Sequence, residues 1–191
     1  MPDFKLLKLK NFGKSSFTSV IGTIYYVWPV QTGDSKADQD GNPEKTIFFL
    51  SNSEKSFDFF VNYLRNKFPQ YCVADIASPE IEKELAGYLS GKTREISLEP
   101  AYLYGTDFEK KIWETTRMIR YGDVASYKEI AEKAGYSNAF RAAGSALGNN
   151  PLMIVVPCHR VIRSNGEVGY FGGGEEIKLM LLDLEQPQQA E

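Results

Sequence analysis

Cysteine and histidine are scarce in this sequence, and their scarcity excludes several kinds of protein. The 191 residues include two cysteines, Cys72 and Cys158, and one histidine, His159. Two cysteines do not make the disulfide framework of a small secreted domain, so we expect a reducing compartment. One histidine and two cysteines separated by 86 residues also offer too few ligands, at no recognised spacing, for a zinc site. The sequence therefore predicts no bound metal and no cofactor.

Long apolar segments are missing as well. No run approaches the roughly 20 apolar residues that a membrane helix needs, and residues 1–14 lack the continuous apolar segment of a secretory signal. The composition, 42% hydrophobic and 25% charged, is typical of a soluble globular protein. These features favour a cytoplasmic protein, or a nuclear one in a eukaryote, that does not contact membranes.

Charge is distributed unevenly along the chain. The net charge of −3 argues weakly against nucleic-acid binding, but residues 110–163 carry +5 and residues 164–191 carry −5. The basic residues of the first segment are Lys110, Lys111, Arg117, Arg120, Lys128, Lys133, Arg141, Arg160 and Arg163. A basic segment can bind phosphates or can form an ordinary solvated surface, so charge alone leaves nucleic-acid binding open.

The N-terminal half has the pattern of an α/β module. The predicted elements are strands at Ser16–Val30 and Thr46–Leu50, helices at Phe57–Phe68 and Pro79–Leu89, and an extended linker over residues 91–104. Ser78 followed by Pro79 is a strong signal for a helix N-terminus, because serine caps the helix and proline fits its first position.

The C-terminal half is mainly helical in pattern. Two capping boxes, Thr106-x-x-Glu109 and Ser126-x-x-Glu129, each predict a helix N-terminus. A third helix is expected to begin at Ser137 or Asn138. The last two of these helices are short and are joined by a tight turn with a glycine, which is typical of a helix-turn-helix.

Apolar spacing predicts what is buried in this half. The expected buried faces are Phe108, Ile112, Thr115 and Ile119 in one helix, and Ile177, Met180, Leu181 and Leu184 in a last helix at Glu175–Glu185. Leu152–Val156 is an apolar run that predicts a buried strand, and it leads directly into Pro157 and Cys158.

Cys158 is the sharpest chemical feature of the sequence. It stands between a rigid proline and His159, with Arg160 next, and a loop after a strand can present a side chain to a pocket. Because a neighbouring cation lowers a thiol pKa, Cys158 is a candidate nucleophile. A buried structural cysteine explains the position equally well. His159 is also ambiguous, because on an extended backbone its side chain points away from the thiol.

Three short motifs surround this cysteine. They are Pro157-Cys158-His159-Arg160, Gly148-Asn149-Asn150-Pro151 before it, and Val168-Gly169-Tyr170-Phe171-Gly172-Gly173 after it. Together they closely resemble the O6-alkylguanine-DNA alkyltransferase family. The resemblance begins near Leu85, continues through Glu185 and covers just over half of the chain. The N-terminal half fits only as the variable α/β domain of that family.

The resemblance implies a domain organisation and an activity. It implies an α/β N-terminal domain over residues 1–90, a linker over 91–104, and a mainly α, winged-helix-like domain with the helix-turn-helix over 105–191. The implied activity is direct-reversal DNA repair, in which Cys158 accepts an alkyl group from guanine O6 once per molecule. The implied partner is double-stranded DNA containing O6-alkylguanine, bound by a monomer without a cofactor.

The resemblance also assigns DNA contacts to the second helix of the helix-turn-helix. The expected DNA-binding residues are Arg141, Ala142, Ala143, Gly144 and Ser145. Small side chains suit close approach to the minor groove, although they equally suit close helix packing. Arg141 is expected to enter the duplex where the damaged nucleotide is flipped out. A simple phosphate contact is the alternative role for Arg141.

The resemblance assigns roles in the reaction to five residues. Cys158 is expected to attack the alkyl carbon, and His159, held by Glu185, to take the thiol proton through a water. Asn150 is expected to brace the turn that carries the cysteine. Tyr127 is expected to donate a hydrogen bond to a guanine ring nitrogen and so stabilise the leaving guanine.

The expected substrate pocket has two departures from the family pattern. Its residues are Leu147, Met153, Val161, Phe171 and Gly172, with backbone groups of Val161 and Cys158 facing the base edge. Phe171 stands where the family usually has tyrosine, so the pocket wall loses a hydroxyl. Met153 stands where some members have proline, which predicts poor tolerance of bulky benzyl-type adducts.

Three other functions compete with this interpretation. An alkyltransferase-like protein that binds lesions without transfer would lack the cysteine, which is present here as Cys158. A winged-helix transcription regulator would need polar, base-contacting side chains on the second helix of its helix-turn-helix. A cysteine hydrolase using Cys158 and His159 would leave the helix-turn-helix and the basic segment unexplained.

Overall fold

A four-stranded mixed sheet forms the N-terminal part of the protein. The computed structural model describes residues 11–30 and 45–186. Strands β1 (Asn11–Ser19) and β2 (Gly22–Val30) form an antiparallel hairpin. The sheet order is β4-β2-β1-β5, with β4 at Phe49–Ser51 antiparallel to β2 and β5 at Cys72–Asp75 parallel to β1. The segment predicted as one strand at Ser16–Val30 therefore contains the end of β1, the turn and all of β2.

The second predicted strand is divided between two sheets. β3 (Thr46–Ile47) pairs in parallel with β6 (Glu99–Pro100), whereas β4 pairs with β2. Ala101 N–H donates to the Ile47 carbonyl at 2.9 Å. The segment predicted as an extended linker thus crosses back to the N-terminal part and adds a short strand to it.

Two helices complete the N-terminal part. α1 (Glu54–Lys67) begins where the Ser53 hydroxyl accepts from Ser56 N–H. α2 (Pro79–Leu89) begins after Ser78, whose hydroxyl accepts from Ile81 N–H, so the Ser78-Pro79 prediction is confirmed to the residue at both ends. The prediction of an α/β N-terminal part is confirmed as well.

The remaining elements are mainly helical, as predicted. They are α3 (Asp107–Arg117), β7 (Ala125–Ser126), α4 (Tyr127–Lys133), α5 (Phe140–Gly148), a 3-10 helix at Cys158–Arg160, β8 (Val161–Ile162) and α6 (Glu175–Leu184). Both predicted capping boxes are present. Trp113 Nε1 on α3 donates to the Ala146 carbonyl on α5 at 2.7 Å, which fixes these two helices against each other.

Three local predictions are wrong. Asn138 has φ of 64°, in the left-handed region, whereas an N-cap is extended; the N-cap of α5 is Ala139 and makes no side-chain bond. On α3 the prediction holds for Ile112 and, just past the helix, Ile119, but Trp113 and Thr116 are buried where Phe108 and Thr115, which are half-buried, were expected. On α6, Met180 is 46% exposed and Lys178 is buried in its place.

The apolar run before the cysteine is not a strand. Ile154 has φ of 73°, and Leu152 and Val156 are joined by a 2.8 Å backbone hydrogen bond, so residues 152–156 form a tight buried loop. Two backbone hydrogen bonds join this loop to Leu50 on β4. Leu50 N–H donates to the Pro151 carbonyl at 2.8 Å, and Met153 N–H donates to the Leu50 carbonyl at 2.9 Å. Strand β4 therefore holds the loop that carries the cysteine.

The capping box of α4 gives a stability prediction. Replacing Ser126 with alanine removes the acceptor for Glu129 N–H at 3.2 Å, and we expect the free energy of unfolding to fall by about 1 kcal/mol in urea titrations. Ser137→Ala is the matched control, because Ser137 is exposed and caps no helix among the described residues. An equal loss in both variants would contradict the capping role of Ser126.

Candidate active site

Cys158 lies at the inner end of a cleft between the N-terminal and C-terminal parts. It is the first residue of the 3-10 helix, 8% exposed, and it borders an open cleft of about 800 Å³. Asn150 Nδ2 lies 3.2 Å from Cys158 Sγ and 3.1 Å from the Val156 carbonyl. Asn150 Oδ1 accepts from Leu152 N–H at 2.9 Å. One amide side chain thus braces the loop and donates to the sulfur.

The surroundings of the thiol control its ionisation. Burial raises the pKa of Cys158, and the hydrogen bond from Asn150 and the nearby Lys178 ammonium partly oppose that shift. A thiol with a raised pKa stays protonated at neutral pH, so a nucleophilic Cys158 needs a base to take its proton.

A buried polar network occupies the far side of the 3-10 helix. His159 Nε2 lies 2.7 Å from Glu185 Oε1, and both side chains are essentially inaccessible to solvent. The Arg160 guanidinium donates to both carboxylate oxygens of Glu185, at 2.8 and 3.0 Å, and Gly122 N–H donates to Oε2 at 3.1 Å. The Tyr88 hydroxyl on α2 also donates to Oε1. Glu185 therefore receives donors from three separate segments: the 3-10 helix, the loop at Gly122 and α2.

The network fixes the charge of the carboxylate and of the imidazole. Burial alone would raise the pKa of Glu185, but hydrogen bonds from His159 and Arg160 outweigh it and hold the pKa at about 2. Burial lowers the pKa of His159 despite its carboxylate partner, so the ring is neutral near pH 7. With Nε2–H donated to Glu185, Nδ1 keeps a free lone pair. Within residues 11–30 and 45–186, that buried Nδ1 has no hydrogen-bond partner.

Lys178 is a site residue that the sequence analysis missed. Its Nζ is buried, donates to the Val161 carbonyl at 2.5 Å and lies 5.8 Å from the centroid of the Tyr127 ring. Burial lowers the pKa of Lys178 to about 8. Its position seven residues before Glu185 and three before Leu181 places it on the buried face of α6, which a helical projection of the sequence would have shown.

Tyr88 is a second missed residue. It is buried and touches His159 and Glu185, which lie 71 and 97 positions later in the chain. Its only local signal is an apolar helix face, which is typical of an ordinary core tyrosine.

The predicted site residues divide between two adjoining cavities. Cys158, Asn150, Leu147, Met153, Phe171 and Gly172 line the cleft. Tyr127, Arg141, Gly144 and Ser145 line a second cavity of about 650 Å³, and Gly148 and Tyr170 border both. Tyr127 OH donates to the Tyr170 carbonyl at 3.1 Å, which places this tyrosine where the cavities meet.

Two predicted residues are more enclosed than their expected roles suggest. Ala143 is fully buried on the inner face of α5, whereas Ala142 on the same helix is exposed. Val161 is buried too; its carbonyl accepts from Lys178, and its N–H donates to the Cys158 carbonyl. Across the part of the chain that the structure describes, His, Cys, Asp and Glu form no group of three or more that could hold a metal ion.

The carboxylate network predicts a pH-dependent stability. Folding lowers the pKa of Glu185 from 4.5 to about 2, so its contribution is complete above about pH 4.5 and is lost as the pH falls towards about 2. At pH 7, Glu185→Gln leaves Arg160 buried without its counterion, and we expect the free energy of unfolding to fall by about 3–5 kcal/mol. In urea titrations from pH 7 to pH 2, the difference in the free energy of unfolding between wild type and Glu185→Gln should become smaller.

The control for this experiment is Glu176→Gln, an exposed carboxylate on the same helix, which should change stability by less than about 0.5 kcal/mol. If the difference in the free energy of unfolding between wild type and Glu185→Gln stays constant down to pH 2, the carboxylate charge contributes nothing to folding.

Comparisons with known proteins agree on one family. Residues 107–187 match the model of the 6-O-methylguanine DNA methyltransferase DNA binding domain. The inducible methylated-DNA–protein-cysteine methyltransferase of Bacillus subtilis is 35% identical over 149 residues, which span 77% of this chain and 83% of that protein. The Mycobacterium leprae methylated-DNA–protein-cysteine methyltransferase is 43% identical over 112 residues, spanning 59% of this chain and 67% of that protein.

Solved structures extend the agreement over the N-terminal part. The crystal structure of Mycobacterium tuberculosis O6-methylguanine methyltransferase has a TM-score of 0.71 at 29% identity and covers 92% of this chain and 93% of its own. The Mycobacterium tuberculosis protein in complex with DNA has a TM-score of 0.69 at 29% identity, covering 92% of each chain. With a relative this similar along most of both chains, the protein belongs to the methylated-DNA–protein-cysteine methyltransferase family.

Proposed function

We propose that this protein repairs alkylated DNA by moving the alkyl group from guanine O6 to Cys158 Sγ. The observation that carries the proposal is the thiol at the inner end of a cleft, held by Asn150 and adjacent in the chain to the buried His159–Glu185 pair. An Sγ–carbon bond forms as the carbon–O6 bond breaks, and the electron pair stays on the guanine. The guanine leaves as an anion and takes up a proton.

The proton of the thiol goes to His159. A neutral imidazole with Nε2–H donated to Glu185 has Nδ1 available as the base. A water between Nδ1 and the thiol would carry the proton. The Glu185 carboxylate stabilises the imidazolium that forms, and Arg160 and Tyr88 hold that carboxylate in place. The neutral state of the histidine near pH 7 is the state that this step requires.

The reaction ends on the protein. Water does not displace the cysteine thiolate from the alkyl carbon of a thioether, so each molecule acts once and is not regenerated. Because the thiol must be reduced to react, the reaction suits the reducing environment of the cytoplasm.

DNA binding is proposed for α4 and α5. These helices, joined by residues 134–139, would form the helix-turn-helix of a winged-helix-like domain over residues 105–191, with 91–104 as linker and 1–90 as the N-terminal domain. Exposed Ala142 and Ser145 allow close approach to the minor groove, and Ala143 lies on the opposite, buried face of α5. Arg141 borders the second cavity, where it would replace the flipped nucleotide in the duplex.

The base itself would sit where the two cavities meet. Tyr127 would donate to a guanine ring nitrogen, exchanging its present bond to the Tyr170 carbonyl. The carbonyls of Val161 and Cys158 each accept one hydrogen bond already, and a carbonyl oxygen can accept a second from the base edge. Lys178, which holds the Val161 carbonyl and faces the Tyr127 ring, would keep both groups in position.

Mass spectrometry tests the proposal directly. After incubation with an oligonucleotide that contains O6-methylguanine, we expect one added methyl per protein molecule, on the peptide that contains Cys158. Cys158→Ala should abolish the transfer and keep lesion binding. The matched control is Cys72→Ala, because Cys72 is a free cysteine that is exposed on β5.

Two outcomes would count against the proposal. Methylation of Cys72 instead of Cys158 would assign the reaction to an unselective thiol. Tight binding of the lesion without any gain in mass in the wild-type protein would favour a lesion-binding protein without transfer.

The proposed role of Arg141 predicts a substrate-dependent defect. Base extrusion from a duplex costs a few kcal/mol, part of which the Arg141 cation would offset. We therefore expect Arg141→Ala to slow repair of duplex DNA about 10- to 100-fold and to leave reaction with the free modified base nearly unchanged. Single-turnover rates on both substrates measure this.

Arg65→Ala, which removes one exposed positive charge from α1, is the control and should alter neither rate by more than about 2-fold. If Arg141→Ala slows the reaction equally on duplex DNA and on the free base, Arg141 has no role in extruding the base from the duplex.

A further inference from the structure

The cleft at Cys158 is much larger than a methyl group requires. Its volume of about 800 Å³ is in the range of sites that bind drug-sized ligands, about 300–1,000 Å³. Tyr127, the proposed donor to the guanine, and Arg141, the proposed contact with the duplex, line the other cavity, whereas the α1 residues line the cleft. The cleft therefore continues away from the proposed DNA side, towards the N-terminal part.

Helix α1 forms the outer wall of this cleft. The lining residues from the N-terminal part are Phe49, Leu50, Ser51, Lys55, Ser56, Phe59, Phe60 and Tyr63. Lys55, Phe59 and Tyr63 are spaced four residues apart and so share one face of the helix. Phe59 is 74% exposed, which leaves a large aromatic surface open at this wall.

The outer wall is tied to the loops that border the thiol. Besides the two backbone bonds between Leu50 and residues 151–153, Asn52 Nδ2 donates to the Gly173 carbonyl at 3.1 Å. A Cβ on Gly173 would lie 2.7 Å from the Phe171 ring and 3.2 Å from Met153 Sδ, so the absence of a side chain lets these groups pack together. The wall that includes α1 is thus held in a fixed position relative to Cys158.

The geometry of the displacement determines where a long substituent must go. Sulfur, carbon and O6 lie on one line in the transition state, so the rest of an alkyl chain projects sideways from the reacting carbon. The base fills the side near Tyr127, which leaves the cleft beyond Met153 and Phe171 for the chain. An apolar chain that covers aromatic surface there would make the free energy of binding more favourable, because apolar surface is removed from water.

We propose that Phe59 and the α1 face around it form a subsite for the distal apolar part of long O6-alkyl substituents. This inference rests on the proposed function and adds to it a residue that determines specificity: Phe59 would set how well a chain of several carbons is accepted. A flexible chain can bend past Met153, where a rigid benzyl-type ring is expected to fit poorly. It assigns to the N-terminal part a role in selecting adducts, in addition to support of the active-site loop.

Rates of repair with two substrates test the subsite. The substrates are matched oligonucleotides that contain O6-methylguanine or O6-hexylguanine, under single-turnover conditions. Phe59→Ala should keep the wild-type rate on the methyl adduct and lose about 3- to 10-fold on the hexyl adduct. Phe59→Leu should recover most of the loss, because it keeps an apolar side chain. Val20→Ala, at a 66% exposed position on the hairpin turn, should change neither rate.

The outcomes separate this inference from the proposed function. Methyl transfer by wild type with no transfer of hexyl, or a hexyl rate that Phe59→Ala leaves unchanged, would overturn the subsite alone. Equal losses on both substrates would show that Phe59 acts on folding or on self-association of the protein, and would overturn it too. Absence of methyl transfer by wild type would remove the proposed function, and the subsite with it.

Discussion

The structure around the thiol depends on one buried carboxylate. Glu185, which is 2% exposed, accepts hydrogen bonds from the 3-10 helix that begins with Cys158, from α2 and from the loop at Gly122. A buried charge is tolerated only when its partners satisfy it, so these segments must all be in place before any of them is stable there. The orientation of the histidine beside the cysteine is a consequence of that requirement.

The N-terminal part contributes to the site through contacts with distant residues. Tyr88 on α2 donates to Glu185, Leu50 holds the loop before Cys158, and Asn52 holds Gly173. The hydrophobic core crosses between the two parts in the same way, because Leu50, Leu85, Trp113 and Leu181 belong to one cluster. A family assignment based on the C-terminal motifs alone does not predict these supports.

Sequence patterns predicted the features that local interactions determine. The helix that begins at Pro79 and both capping boxes depend on residues within one turn of each other, and all three are present. The loop at residues 152–156 was predicted as a strand because its composition is apolar and β-branched. Its hydrogen bonds to Leu50 and the left-handed Ile154 depend on strand β4, about 100 residues away, which no local pattern contains.

The site residues follow the same division. The family resemblance predicted roles for Asn150, Cys158, His159 and Glu185. The structure places Asn150 beside the sulfur and Glu185 beside the histidine. Lys178 was overlooked because a lysine within an apolar stripe suggests a solvated side chain, although its helical position indicates burial. Tyr88 has no sequence signal beyond its place on an apolar helix face, because only the tertiary fold brings it to the carboxylate.

The burial of Cys158 has a consequence for a molecule that can react only once. Oxidants and stray electrophiles attack thiolates that are accessible, and Cys158 is enclosed, with its pKa raised by burial. The exposed Cys72 is the easier target for such reagents. Sheltering the sulfur in its neutral form preserves its single use for an alkylated base.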